Sequence, residues 1–310
     1  MDLALQTTQY ALGASAGCGR EWVGRTLGER YRITRELGSG GMGRVFLAKH
    51  LLLNVPVAIK VLLHPDACAM LTKEALLLSR LQHPNIVRTI DLGWLEDGTN
   101  YLVMDYVEGV EIGAWLEDHA RFQPARALGI LRQVAAAADH SHARDVVHRD
   151  IKPSNILFDP ECDDRVRLVD FGIACARDDA ATEPSAFVGT PMYMAPEQAR
   201  GDARGRSVDI YGIAALALEM LTGKPPYAAD TYRATLAAML AGPPSLPSAR
   251  GVWLPGLDAV IGRGLHPDPK KRYATASAFV RSLESVLQAT PRASGVAGAW
   301  CESPDATASA

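Results

Sequence analysis

From Tyr31 to about Met104 the apolar residues of this chain come in short runs that are β-branched or aromatic, and several of them alternate. YRITREL, RVFLAKH, PVAIKVL, IVRTIDLGWL and NYLVMDYV are therefore predicted as strands. One segment breaks the series. In CAMLTKEALLLSRLQ, Leu71, Ala75 and Leu78 fall at i, i+4 and i+7, the spacing of a helix face. Past Glu108–Gly109 the pattern changes to helical spacing in ARALGILRQVAAAADHSHA, SVDIYGIAALALEMLTG, TYRATLAAMLAG and ASAFVRSLESVLQ. The longest apolar run, Ile210 to Leu218, lies between Asp209 and Glu219. It falls well short of the ~20 residues needed to cross a bilayer, so it is expected to be a buried helix. TGKPPY, AGPPSLP and HPDPKKR are loops marked by proline. Strands followed by helices predict an α+β fold, a β-rich small lobe and then an α-rich larger one.

Composition narrows the function classes. A chain of 310 residues with 48% hydrophobic and 22% charged residues can bury a real core, so global disorder is not expected. A formal charge of -3 gives no reason to expect nucleic acid as a partner. The five cysteines (Cys18, Cys68, Cys162, Cys175, Cys301) are scattered and never form C-x-x-C, which supports neither a disulfide framework nor a zinc site and fits a reducing cytoplasm. No basic residue precedes the apolar residues of the first stretch, as a secretory signal would require, and no membrane span is expected.

The chemistry begins at LGSGGMGRV, Leu37 to Val45. Gly38, Gly40 and Gly43 could simply serve a tight turn. A dinucleotide fingerprint would open a helix here, yet the flanks on both sides read as strand, and no G-x-x-x-x-G-K-[ST] occurs in the chain. What remains is a glycine hairpin able to lie over a polyphosphate. In the next strand, VAIK puts Ala58 and Lys60 on the face opposite Val57 and Ile59. Lys60 alone would be an ordinary surface lysine, but Glu74 on the helical segment offers it a partner. Further on, VVHRDIKPSNILF gathers His148, Arg149, Asp150, Lys152 and Asn155, and VRLVDFG ends a β run on Asp170. A carboxylate, a lysine, an amide oxygen and a second carboxylate form a set able to hold Mg²⁺ and a triphosphate.

GSGGMGRV, VAIK, Glu74, HRDIKPSN, DFG and APE (Ala195 to Glu197), in this order, resemble the motifs of bacterial eukaryotic-like (Hanks-type) serine/threonine protein kinases. The resemblance covers residues 28–288 and implies a two-lobed protein-kinase-like fold: N-lobe 28–104, hinge 105–109 and C-lobe 110–288. Residues 1–27 are then an extension and 289–310 a tail, both expected to be flexible. It further implies transfer of the ATP γ-phosphoryl group to protein Ser/Thr hydroxyls with Mg²⁺ or Mn²⁺. Leu37, Gly38, Gly40 and Gly43 would cover the nucleotide, Lys60 would meet its phosphates, and Asn155 and Asp170 would hold the metal. Asp150 would be the catalytic base, with Lys152 steadying the transferred group. Val45, Ala58 and Leu157 would sandwich adenine, behind Met104 as gate, with the backbone from Asp105 to Val107 on the base edge. His148, Phe171, Glu197, Asp209 and Arg272 would support the site, Glu197 with Arg272 as an ion pair and Asp209 as a brace for the His148–Arg149 backbone.

Two departures from the family pattern stand out. Only thirteen residues separate Lys60 from Glu74, and Asp145 occupies a position where glycine is usual, although aspartate tolerates the left-handed region. The resemblance also implies that Arg149 pairs with a phosphorylated residue between DFG and APE. Thr182 and Ser185 are the candidates, Thr182 preferred, with self-association for trans-autophosphorylation. Two rivals make opposite demands. A pseudokinase scaffold would lack a reacting residue, and a small-molecule phosphotransferase of the same fold would lack APE and the Gly223 to Tyr227 loop.

Overall fold

A computed structural model describes residues 21–40, 43–62, 78–95, 97–171, 191–201, 205–229 and 231–289. The alternating segments form one antiparallel sheet: β1 (Thr26–Leu27), β2 (Tyr31–Gly40), β3 (Gly43–His50), β4 (Val55–Leu62), β5 (Thr89–Trp94) and β6 (Asn100–Asp105), in the order β1-β2-β3-β4-β6-β5. Strand alternation sorts its residues onto two faces. Val57, Ile59 and Val61 pack with Tyr31, Ile33, Phe46 and Val103 on one side. Ala58, Leu37, Leu102 and Met104 cluster on the other, with Val45 against them. Trp22 and Leu27, which lie within the expected extension, are buried in the first cluster. Trp22 stacks obliquely near Phe46, at 5.9 Å between ring centroids.

A second sheet joins β7 (Val110–Glu111), β8 (Ile156–Asp159) and β9 (Arg165–Leu168). A bridge from Ile86 to Leu168 and a hydrogen bond from Leu168 N to Asn85 O tie it to the chain leading into β5. Among the described residues, the α-helices of four residues or more are α1 (Ile112–His119), α2 (Pro124–His142), α3 (Pro196–Ala199), α4 (Ser207–Thr222), α5 (Tyr232–Ala241), α6 (Leu257–Gly264) and α7 (Ala276–Ala289). The expected helices near residues 125–143, 207–223, 231–242 and 276–288 are all present. The apolar run from Ile210 to Leu218 is buried on every side in α4, as a helix hydrophobic all round must be. α2, α6 and α7 pack around α4. α4 ends on Gly223, at φ 74°, where a Cβ would lie 2.1 Å from Ala120 O, so only glycine fits. Asp145 is left-handed at φ 58°, as expected for the residue standing in for glycine. Among the described residues no helix is long and apolar enough to cross a membrane.

Candidate active site

The cleft between the lobes receives chemistry from strand ends above and from a braced loop below. Above it, β2 and β3 pair to Gly40 opposite Gly43, which makes the expected glycine hairpin. Gly43 is indispensable in that geometry, because a Cβ there would stand 2.1 Å from Val61 O. Gly38 pairs with Val45, and Val45 with Lys60. Met104 lies beside Ala58 across β4 and β6 and next to a small cavity also lined by Leu78, Ile86, Leu168 and Phe171. The Asp105 N–H already donates to Arg88 O at 3.0 Å, so Asp105 can offer a base edge only its carbonyl. Leu157 is buried on β8 opposite Glu111.

Lys60 is 6% exposed, and a buried ammonium needs a partner. Its Nζ lies 2.9 Å from Asp170 Oδ1. Glu74, the partner expected from sequence, lies outside the described residues, as do Thr182 and Ser185. Burial, the largest single influence, opposes the charged form of Asp170, but the Lys60 ammonium that also hydrogen-bonds it, together with smaller contributions from neighbours such as Lys152, holds the carboxyl below its ordinary value. Asp170 is left-handed, at φ 57°.

Below the cleft, Asp150 Oδ2 accepts hydrogen bonds from Lys152 Nζ at 2.8 Å and from Asn155 Nδ2 at 2.9 Å. Asn155 Nδ2 also donates to Asp150 O at 2.8 Å, which leaves Oδ1 as the amide's ligating atom. Asn155 O in turn accepts from Val169 N at 3.0 Å, next to Asp170. An amide oxygen and an ionised carboxylate are the hard donors Mg²⁺ prefers, so this pair fits such an ion.

The loop is fixed from beneath. Asp209 on α4 accepts the backbone N–H of His148 at 2.8 Å and of Arg149 at 2.6 Å, which is the bracing expected of it. His142 Nε2 lies 2.7 Å from the same carboxylate, a support missed in sequence because α2's last turn gives no sign of where that ring reaches. His148 is fully buried, and burial pushes its pKa down. As a neutral ring it donates from Nε2 to Val169 O and accepts the Asp150 N–H at Nδ1. Phe171 packs against it at 4.5 Å. Glu197 and Arg272 form the expected ion pair, bidentate at 2.5 and 2.8 Å.

Glu111 also went unnoticed in the sequence. Burial, with the Asp170 and Glu117 carboxylates, raises its pKa to about 7, against the pull of Lys152. Its only sequence signal was a carboxylate just past the lobe connection.

A glycine hairpin over a Lys60–Asp170 pair, facing a loop carboxylate held by a lysine and an asparagine, is the arrangement of a two-lobed kinase-type fold. The chain belongs to the protein kinase domain family, whose model matches residues 31–282. It is 35% identical over 281 residues to serine/threonine-protein kinase pkn3 of Myxococcus xanthus, covering 86% of this chain and 51% of that protein. It is 40% identical over 264 residues to PknH of Mycobacterium tuberculosis, covering 83% of this chain and 42% of that one. With PrkC of Bacillus subtilis it shares 35% identity over 277 residues, 86% of this chain and 42% of that protein. The chain thus spans about half the length, or less, of these relatives.

Proposed function

We propose that the chain is a serine/threonine protein kinase using ATP with Mg²⁺ or Mn²⁺. The observation that carries this reading is the Asp150 carboxylate, anchored by Lys152 and Asn155 on the same loop as a second acidic residue's support. Asp150 orients the substrate hydroxyl and takes its proton as the oxygen bonds to the γ-phosphorus; the bond to the β–γ bridging oxygen breaks and ADP leaves. Lys152 neutralises charge on the transferred group, and Lys60 holds the α and β phosphates. Bound at Asn155 and Asp170, the metal supplies charge neutralisation of the phosphates. Val45, Ala58, Met104 and Leu157 hold adenine, and Leu37, Gly38, Gly40 and Gly43 cover the phosphates. His148, Arg149, Phe171, Glu197, Asp209 and Arg272 position these groups. Arg149 receives a phosphate on Thr182 or Ser185, added in trans by a second copy of the chain. The scattered cysteines favour a reducing cytoplasm.

The test is incubation of purified protein with γ-labelled ATP, Mg²⁺ and a generic basic protein. Label is expected on serine and threonine of the acceptor. Asp150→Asn is expected to slow turnover by roughly 10²–10⁴ while ATP affinity stays nearly intact. Equal rates in the variant and the wild type would reject the assignment.

A further inference from the structure

Arg149 has φ 66°, in the left-handed region, where a long side chain is strained unless its surroundings fix it. Two side chains from distant segments do so. Asp209 Oδ1 accepts the Arg149 N–H, and Gln198 Nε2 donates to the Arg149 carbonyl at 2.8 Å. That carbonyl shares a planar peptide unit with the Asp150 nitrogen, so the amide that holds the oxygen also sets where Asp150 begins. The other end of Gln198 is engaged too: Oε1 accepts the Ala195 N–H at 2.9 Å. Gln198 is 8% exposed and Ala195 is fully buried, so neither bond competes with bulk water. One carboxamide therefore joins the backbone entering Asp150 to the segment whose Glu197 is locked onto Arg272.

We infer that Gln198 is a positioning residue for Asp150, fixing the catalytic carboxylate to the 195–197 segment through the Arg149 carbonyl. This rests on the kinase reading above. The competing account is helix capping alone, in which only the bond to Ala195 N matters.

Gln198→Glu separates the two. The carboxyl keeps an acceptor for Ala195 N–H but replaces the Nε2 donor with an oxygen facing the Arg149 oxygen. When it takes up a proton, it donates again. The charged and titratable groups around this junction are His148, Arg149 and Asp150 on the loop, Glu197 on α3, Asp209 and His142 beneath it, and Arg272. All are shared with the wild type, so the ratio of variant to wild-type rate isolates residue 198.

Steady-state kinetics would be measured on the full chain from about pH 6 to about pH 8 for wild type, Gln198→Glu and Gln198→Met. Gln198→Glu, with its carboxyl ionised, is expected to lower kcat by about 10-fold to 100-fold with KM for ATP little changed. Gln198→Met, which cannot donate at any pH, is expected to show a constant kcat deficit and keeps the inference testable should the glutamate variant fail to fold. A wild-type kcat in Gln198→Met or in a folded Gln198→Glu, which keeps the acceptor for Ala195 N–H and lacks the donor to the Arg149 carbonyl, overturns the inference while leaving the kinase reading in place. An inactive wild type overturns both.

Discussion

Two ion pairs of this molecule have opposite characters. Arg272 and Glu197, in the helical lobe, have side chains 0% and 9% exposed and meet through two parallel bonds. Arg272 also donates to Ser207 O and His266 O, so the guanidinium is nearly saturated. Lys60 and Asp170, in the cleft, meet through a single bond, and the Asp170 side chain is 32% exposed. The first pair has nothing left to offer a ligand and can only hold the chain. The second keeps a carboxylate face within reach of an arriving ion. Saturation marks the pair that can only hold the chain, and partial exposure marks the pair proposed to meet the metal and the phosphates.

The largest expected effect tests the cleft. Asp170→Ala should lower turnover by at least about 10³ and leave the Lys60 ammonium without the partner at 2.9 Å. Radiolabel transfer and thermal unfolding, run on the same preparation, check this; an active variant would remove Asp170 from the chemistry. Next comes Arg272→Ala, which leaves Glu197 buried without its partner and should destabilise the fold by about 3–5 kcal/mol. For a domain of this size that lowers Tm by about 10 °C. An unchanged Tm with lost activity would mean that the buried pair is not structural and would break the contrast.

The smallest effect concerns Glu111, at the edge of the cleft. In the unfolded chain its carboxyl loses its proton near 4.5, but in the fold only near about 7. The folded state therefore holds the extra proton between those values, and stability falls as the pH rises through this window. Below it both states are protonated, and above it the whole loss has accrued. Glu111→Gln should match the wild-type Tm at the acid end and exceed it modestly above neutrality. Parallel curves would show that Glu111 titrates normally.

Much of this was legible in the sequence because it is local. Alternation in VAIK assigns Lys60 and Ala58 to one face without any knowledge of the partner strands. Asp145 could be read as left-handed from the resemblance and the tolerance of its side chain. The contacts that were missed depend on distance across the fold. Nothing near Lys60 announces Asp170, and nothing near Gln198 announces the Arg149 carbonyl. Three short helices also escaped, the four-residue α3 among them. α6 carries Gly262 and Gly264, which weaken any helical signal. Gly264 is nonetheless required by packing, since a Cβ there would approach Ala214 Cβ to 2.6 Å. α1 follows directly on strand β7, so its eight residues have no separate start signal.

The first turn of α7 has a consequence for the order in which the chain can be made. The Asp139 carboxylate on α2 accepts the backbone N–H groups of Ala276 and Ser277, each at 2.9 Å. During synthesis the small-lobe sheet has all its strands once β6 has left the ribosome, so it can form early. The helical lobe cannot close then, because α2 waits for amides encoded more than a hundred residues later and α4, apolar on every side, waits for the same helix to cover it. The nascent chain thus holds every strand of the small-lobe sheet before the helical lobe has the last helix it needs to close.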